Sequence, residues 1–199
     1  MARGRKVNSN GEMSKKLLLE KAVELFSIHG YHQTKISDIV KAANLTQPTF
    51  YLYFESKESL FNDLNTQFQN DIYEILEENT ETHKAGLGTF REKVEDKLIN
   101  IFNYFAVNPR LTKIGFYESE QALIIKERMV EILIGEITEE HKVSPFLVNI
   151  NARTLAECLV GSIERLTLTG LLTEKSTSEE LANSLGAIYF VEQKELQHT

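Results

Sequence analysis

The spacing of the apolar residues is the feature that most limits what this chain can fold into. Apolar residues recur three or four positions apart through almost its whole length, and no segment alternates cleanly with a period of two. The 199 residues include three prolines and ten glycines, so little interrupts this pattern. The sequence therefore predicts an all-α fold.

Composition narrows the class of protein further. The chain is 42% hydrophobic and 26% charged, which is typical of a soluble globular protein. Its single cysteine, Cys158, excludes an internal disulfide and suits a reducing compartment. The polar, basic N-terminus is not a secretory signal, and no apolar run approaches the roughly 20 residues that cross a bilayer. We expect a cytoplasmic protein with no membrane partner.

The charge is unevenly distributed along the chain. Residues 1–60 carry a net charge of +3 and residues 61–199 a net charge of −10, within a total of −7. This distribution suggests that only the N-terminal part meets a polyanion. An asymmetry this small also arises by chance, so it is weak evidence taken alone.

The first sixty residues predict three helices with clear start and stop signals. Ser14 is a plausible N-cap of the first helix, and Gly30 ends it. Thr34 or Lys35 opens a short second helix, and Asn44 after it tolerates the left-handed conformation of a sharp turn.

Thr46 then caps a third helix with Pro48 in its first turn. Two short helices joined by a tight turn and braced by a first describe a helix-turn-helix. We assign residues 1–13 to a flexible basic arm and residues 14–60 to a helix-turn-helix DNA-binding domain.

Four aromatic residues crowd the third helix, and its geometry divides them into two pairs. At 100° per residue, Phe50 and Phe54 share one face, which the small domain needs for its core. Tyr51 and Tyr53 lie at the rim of that face. There they either cover the edge of the core or donate hydrogen bonds to phosphate oxygens.

The run DIVKAANLTQPTFYLYFESKESL, with the preceding ELFSIHGYHQTKISDI, resembles the signature of the TetR family of one-component bacterial regulators. The resemblance covers about residues 14–61 and includes the family's Tyr-x-Tyr-Phe-x-x-Lys-Glu-x-Leu string. It implies a regulator, by default a repressor, in which a larger helical domain for effector binding and dimerisation follows at residues 61–199. We expect no enzymatic activity, no cofactor and no metal.

Departures from the family pattern suggest how bases are read. Gln47-Pro48 replaces a common Lys-Gly pair, and Leu52 stands where many members carry histidine. Base reading is therefore expected to use apolar contact with thymine methyl groups and amide hydrogen bonds from Gln47 to adenine. Asn44 replaces the usual glycine of the turn.

The resemblance also implies phosphate anchors at Thr34, Lys35, Tyr51 and Lys57. The basic arm either enters the adjacent minor groove or is an inert tail. The predicted DNA-contact residues are Arg3, Arg5, Lys6, Thr34, Lys35, Thr46, Gln47, Pro48, Thr49, Tyr51, Leu52, Tyr53 and Lys57.

Longer helices follow the DNA-binding domain. The predicted ranges are 57–78, 89–107, 110–117, 119–141, 145–169 and 178–195, with Gly170 stopping the fifth and a Thr177–Glu180 capping box starting the last. The apolar stripes of the last two helices are suited to pairing into a four-helix bundle. The predicted dimer residues are Leu155, Leu159, Ser162, Leu166, Leu181, Leu185 and Ile188. The same stripes also suit packing within one chain, whereas the resemblance favours a homodimer on a two-fold pseudo-palindromic operator.

The region between the DNA-binding domain and these helices is rich in aromatic residues, where the family encloses an effector cavity. The predicted lining residues are Phe68, Tyr73, Phe102, Phe105, Phe116, Tyr117, Glu120, Met129 and Leu133. An ordinary core explains each of them equally well. Fatty-acyl chains, drug-like cations and other lipophiles all suit such a cavity, and the acidic balance slightly favours a cation.

Two other classes of protein were weighed. No catalytic Ser/His/Asp order, phosphate-binding glycine loop or HExxH motif stands out, and the five histidines are scattered, which argues against an enzyme or a metal site. A helical adaptor or ligand-binding protein without specific DNA binding is the alternative. The positive charge of residues 1–60 argues against it.

Overall fold

The structure is a computed structural model that describes residues 6–77, 89–141 and 151–190. Within these ranges every regular element is helical, which confirms the all-α prediction. The helices are α1 (Lys6–His29), α2 (Ile36–Ala42), α3 (Gln47–Tyr51), α4 (Lys57–Glu77), α5 (Phe90–Val107), α6 (Pro109–Thr112), α7 (Ala122–His141), α8 (Ala152–Leu166) and α9 (Ser178–Tyr189). A first π turn (Lys113–Glu118) follows α6, and a second π turn (Thr167–Leu171) follows α8. None of the helices in the described ranges is long and apolar enough to cross a membrane.

The predicted turn and capping signals act as expected. Gly30 and Asn44 both adopt positive φ, at 81° and 53°, the backbone conformation that their residue types favour. The Thr46 hydroxyl accepts a hydrogen bond from the backbone N–H of Thr49. Thr177 and Glu180 form the predicted capping box of α9.

The predicted start of the first helix is wrong. α1 begins at Lys6 instead of after Ser14, so residues 6–13 of the assigned arm are helical. A tertiary contact accompanies the extension, because Gly11 lies beside the Tyr53 hydroxyl. A local capping signal does not encode such a contact. Arg3 and Arg5 lie outside the described residues.

Several predicted helix ends also shift. The predicted helix at 110–117 divides into α6 and the first π turn, which closes where the Ser119 N–H donates to the Ile114 carbonyl. α7 therefore starts at Ala122 rather than at 119. α8 starts after the cap Asn151, and the chain passes through Gly170 in the second π turn instead of stopping there. The predicted start of one helix at 145 and the predicted end of another at 195 lie outside the described residues.

The chain divides into two compact units. The first unit contains the described residues up to Phe68 together with Arg110–Ser119, and the second contains the remaining described residues. This division differs from the predicted boundary at 60/61 in two respects. The part of α4 from Lys57 to Phe68 belongs to the first unit, and so does the later segment Arg110–Ser119.

The first unit is built around large side chains from α1 to α4. Leu18, Phe26, Ile39 and Phe50 are each at most 1% exposed, and Phe54 is 3% exposed. Phe50 and Phe54 are therefore core residues, as the helical geometry predicted. The first π turn packs against Phe68 so closely that a Cβ atom at Gly115 would lie 2.5 Å from the aromatic ring.

The second unit packs α5 against α9 and α7 against α8. α9 approaches α5 at Gly186, where a Cβ atom would overlap the Glu95 side chain. Polar links join further helices: the Tyr104 hydroxyl of α5 donates to Asp71 of α4 at 2.8 Å, and Lys126 of α7 pairs with Glu164 of α8 at 2.6 Å. Burial, together with the bond to Asp71, raises the pKa of Tyr104.

Candidate functional site

The turn between α2 and α3 fixes the orientation of α3. Lys35 precedes α2, and its backbone N–H donates to the Asp38 carboxylate at 3.1 Å, which caps that helix. The chain reverses at Asn44, and Thr46 caps α3. Phe50 and Phe54 then anchor α3 in the core of the first unit. α3 is therefore held from both its start and its inner face, as a recognition helix requires.

The outer face of α3 is exposed and carries no charge. Gln47 and Pro48 are exposed, Tyr51 is 56% exposed and Leu52 is 77% exposed. These four residues form the α3 ridge. The ridge offers an amide and a phenol for hydrogen bonds and two apolar groups for thymine methyl contact.

Two of the predicted phosphate anchors make hydrogen bonds within the protein. Thr34 is 2% exposed, and its hydroxyl donates to the Gly30 carbonyl at 2.9 Å, so it does not reach a ligand. Lys57 donates to the carbonyls of Tyr31 and Thr34, at 2.6 and 2.9 Å, and lies over the Tyr31 ring. Its ammonium group ties the loop between α1 and α2 to the start of α4. Backbone carbonyls thus bind both polar groups in this structure, and contact of either side chain with phosphate stays a prediction.

The other predicted contact residues differ in accessibility. The side chain of Lys35 is exposed. Thr49 is half-buried, and its hydroxyl lies 2.8 Å from that of Thr46. Both threonine side chains therefore take part in the N-terminal cap of α3. Tyr53 is half-buried beside Gly11. Of the arm residues, Lys6 is the first residue of α1.

The second unit encloses a small apolar cavity. Its volume is about 10 Å³, which is room for roughly one water molecule. The apolar residues that line it come from four helices: Leu76, Val94, Leu98, Ile101, Met129, Leu133, Leu159 and Ile163. Side chains of α4, α5, α7 and α8 thus meet around one point.

An ion pair lies at the edge of this cavity. The Lys97 ammonium group pairs with the Glu136 carboxylate and also donates to the Leu76 carbonyl at 2.8 Å. Lys97 and Glu136 also line an open groove of about 390 Å³ on the surface, together with Phe90, Lys93, Gly135, Glu139 and Glu140. The Lys97–Glu136 pair is therefore common to the cavity and the groove.

The predicted pocket residues are only partly found at the cavity. Met129 and Leu133 line it. Phe102 and Phe105 are fully buried in the packing of the second unit, and Tyr73 lines surface grooves, with a pKa that burial raises. Glu120 is exposed. The remaining predicted residues, Phe68, Phe116 and Tyr117, belong to the first unit.

Sequence reasoning missed the ion pair, although the sequence contained a signal for it. Lys97 lies between Val94, Leu98 and Ile101 on the apolar face of α5. Glu136 follows Met129 by seven residues and Leu133 by three, which places it on the apolar face of α7. A charge within an apolar stripe requires a partner when the helix packs.

The predicted dimer residues also divide. Leu155, Leu159, Leu181 and Leu185 are 0–6% exposed within the single chain, so these four pack α8 and α9 internally and are not an open interface. Packing within one chain, the alternative that the sequence left open, describes these four residues. Ser162 is half-buried and lies 2.8 Å from the Tyr189 hydroxyl, Leu166 is half-buried, and Ile188 is 66% exposed.

Known proteins resemble this chain over nearly its whole length. The HTH-type transcriptional regulator YdgC of Bacillus subtilis (strain 168) is 35% identical over 183 residues, which is 90% of this chain and 94% of that protein. The fatty acid metabolism regulator protein of the same organism is 26% identical over 166 residues, which is 79% of this chain and 84% of that protein.

The fold is likewise that of a solved structure. The transcriptional regulator FadR from Bacillus subtilis, solved in complex with stearoyl-CoA, superposes with a TM-score of 0.64 at 23% identity and covers 87% of this chain and 96% of that one. Residues 18–64, which contain α2, α3 and the turn between them, match the family described as bacterial regulatory proteins, tetR family. The chain is therefore a transcriptional regulator that belongs to the tetR family of bacterial regulatory proteins.

Proposed function

We propose that this regulator binds a pseudo-palindromic DNA operator as a homodimer in the bacterial cytoplasm, represses transcription, and leaves the operator when a lipophilic small molecule occupies its second unit. It acts through binding and not through catalysis. The observation that carries the proposal is the α3 ridge, which the turn at Asn44 and the core residue Phe50 hold in place.

The proposed DNA contacts follow from exposure. Gln47, Pro48 and Leu52 would read base edges in the major groove, with Tyr51 and Lys35 on the phosphates. Because the ridge carries no positive charge, the charged contacts to phosphate must come from residues around it. Arg3, Arg5 and Lys6 remain the proposed minor-groove contacts. Thr34 and Lys57 are omitted from the set because their polar groups bond to backbone carbonyls.

A homodimer is proposed because a single short recognition helix reads few base pairs. Two copies on a two-fold site double the contacts, and their spacing must match the roughly 34 Å repeat of the major groove. The exposed apolar residue Ile188 on α9, whose neighbour Tyr189 lies 2.8 Å from Ser162 of α8, supports this face as the interface.

The closed cavity supports the proposed response to an effector. At about 10 Å³ it is far smaller than the roughly 300–1,000 Å³ of typical ligand pockets. An effector that enters must therefore separate the surrounding helices, one of which is α4. It binds the widened conformation and not the closed one, so it shifts the population between two states. Since α4 begins beside the DNA-binding elements at Lys57 and ends at the cavity with Leu76, it is the proposed link.

The relatives support a lipophilic effector with an acyl chain. One is named a fatty acid metabolism regulator, and the FadR structure holds stearoyl-CoA. The apolar lining of the cavity is consistent with a hydrocarbon chain.

Selection of operators from random duplexes with the purified protein tests the DNA-binding part. We expect a two-fold symmetric site whose affinity falls steeply with salt. Lipophiles are then screened for release of the selected duplex. An adaptor without specific DNA binding would enrich no sequence, and that result would reject the proposal.

A further inference from the structure

The Lys97–Glu136 pair gives information about the head group of the effector. We infer that the effector carries a compact, singly charged anion, such as a carboxylate, which takes the place of Glu136 on Lys97 while its chain enters the apolar cavity. This inference rests on the proposed function and adds to it the chemistry of the ligand and the residue that recognises it.

The two members of the pair are not equally fixed. The Lys97 side chain is 12% exposed and also donates to the Leu76 carbonyl at 2.8 Å, so a second bond holds it at the cavity. Glu136 is 30% exposed and lines the open groove. Turning Glu136 into water costs less than turning Lys97 away, because Lys97 would lose two acceptors. An incoming anion therefore replaces Glu136, and Glu136 acts as the competitor within the protein.

This asymmetry also argues against a cationic effector. A cation would have to displace Lys97 from Glu136 and leave a second positive charge at the edge of an apolar cavity, which is costly without a partner. The net acidic charge of the chain attracts a cation at long range, but the less exposed member of the ion pair that lines the cavity is an ammonium.

The groove limits the size and charge of the head group. Glu139 and Glu140 line it along with Lys93 and Lys97. A head group with several phosphates would face both of these carboxylates, whereas a single carboxylate at Lys97 need not extend so far. The geometry thus favours a free acid over its coenzyme A thioester.

Titration calorimetry with four probes of equal chain length tests the inference: dodecanoate, dodecanoyl-CoA, dodecanol and dodecylammonium, each used below its micelle concentration. We expect the wild-type protein to bind dodecanoate at least about tenfold more tightly than the other three, the effect of one charge-assisted hydrogen bond. Lys97→Met should abolish this preference. Glu136→Gln should tighten dodecanoate binding by about tenfold and leave dodecanol unchanged, because only the anion competes with the carboxylate.

Glu164→Gln is the matched control, since Lys126–Glu164 is another ion pair of the second unit, with side chains 17% and 40% exposed. It should behave as the wild-type protein does. Circular dichroism verifies that each variant is folded, and Glu136→Gln tests the inference even if Lys97→Met does not fold.

Three results would overturn the inference: an unchanged preference in Lys97→Met, weaker dodecanoate binding in Glu136→Gln, or tightest binding of dodecylammonium or dodecanoyl-CoA. If dodecanol released the operator as well as dodecanoate does, the proposal of a lipophilic effector would be supported, and the inference that its head group is a carboxylate would be rejected. If no probe bound or released the operator, the effector part of the proposed function would fail as well.

Discussion

Leu52 is a large apolar residue that the fold does not need. It is 77% exposed at the end of α3, where its side chain adds nothing to the core. Because truncation of an exposed side chain usually changes stability by less than about 0.5 kcal/mol, Leu52→Ala should remain as stable as the wild-type protein. We expect it to lose about 1–3 kcal/mol of discrimination at one base pair in each half-site. Affinity measurements on operators substituted at each position in turn would detect this.

Ile28→Ala is the control for that experiment, because Ile28 is also exposed (60%) but belongs to α1 and not to the α3 ridge. It should leave every base preference unchanged. An unaltered preference profile in Leu52→Ala would remove Leu52 from the base-reading residues.

Substitution of Lys57 distinguishes a structural role of this residue from a role in DNA binding. Its two bonds to backbone carbonyls come from a charged donor, so Lys57→Met should lower the free energy of unfolding by about 2 kcal/mol. For a chain of this length that corresponds to a fall in Tm of about 4–8 °C. The slope of log K against log salt should stay the same, because in this structure the ammonium is bound to carbonyls and not directed to phosphate. Thermal unfolding and salt-dependent operator binding measure the two effects.

Lys35→Gln is the matched comparison. Its side chain is exposed, and only its backbone N–H caps α2. We expect unchanged stability and a salt slope reduced by about 1, as for the loss of one phosphate contact. If the two variants exchanged these phenotypes, the roles assigned to Lys57 and Lys35 would be reversed.

At the scale of elements, the first π turn depends on Gly115. A Cβ atom there would lie 2.5 Å from the ring of Phe68, which is fully buried. Gly115→Ala should therefore destabilise the protein by about 1–3 kcal/mol, despite the better helix propensity of alanine. Urea unfolding followed by circular dichroism measures the loss. Adding Phe68→Leu should restore part of it, and a loss that stays the same in the double variant would contradict the clash.

Gly135→Ala is the control for this prediction. Gly135 is exposed on α7, and an added Cβ would meet no atom within 4 Å. Here alanine should raise stability by about 0.5–1 kcal/mol, because it restricts the unfolded chain.

Helix signals that act locally could be read from the sequence. Thr46, Asn44 and Thr177 act through neighbours three residues away, so their residue types were sufficient evidence. The start of α1 could not be read, because it coincides with a contact between Gly11 and Tyr53, which lie far apart in the chain. The π turns likewise have no local signal, since their residues fit an α-helix equally well.

The candidate site was predictable to the extent that it lies on one helix. The inward direction of Phe50 and the outward direction of Leu52 follow from helical periodicity alone. The cavity was not predictable in this way. Leu98 and Phe102 occupy the same kind of apolar stripe, yet Leu98 lines the cavity and Phe102 does not. Which residue of the stripe lines the cavity depends on how four helices pack together, and the sequence pattern of one helix does not contain that information.

At the scale of the whole molecule, the proposed function requires DNA binding, dimerisation and effector binding to be thermodynamically linked. Any ligand that favours one conformation of the dimer changes its affinity for the operator by the same factor by which the operator changes affinity for the ligand. Assembly of the dimer is the first requirement for this linkage, so the interface can be tested without knowledge of the effector.

The exposed side chain of Ile188 provides that test. Because it is 66% exposed in the single chain, Ile188→Lys should fold normally. A lysine at the centre of an apolar interface costs about 2 kcal/mol or more, which raises the dimer dissociation constant by about 30-fold. We expect analytical ultracentrifugation to detect monomers at concentrations where the wild-type protein is dimeric, with operator affinity reduced in parallel. Leu123→Lys, at a residue 75% exposed on α7, should leave the dimer intact. Monomers formed by Leu123→Lys and dimers kept by Ile188→Lys would move the interface from α9 to the exposed face of α7.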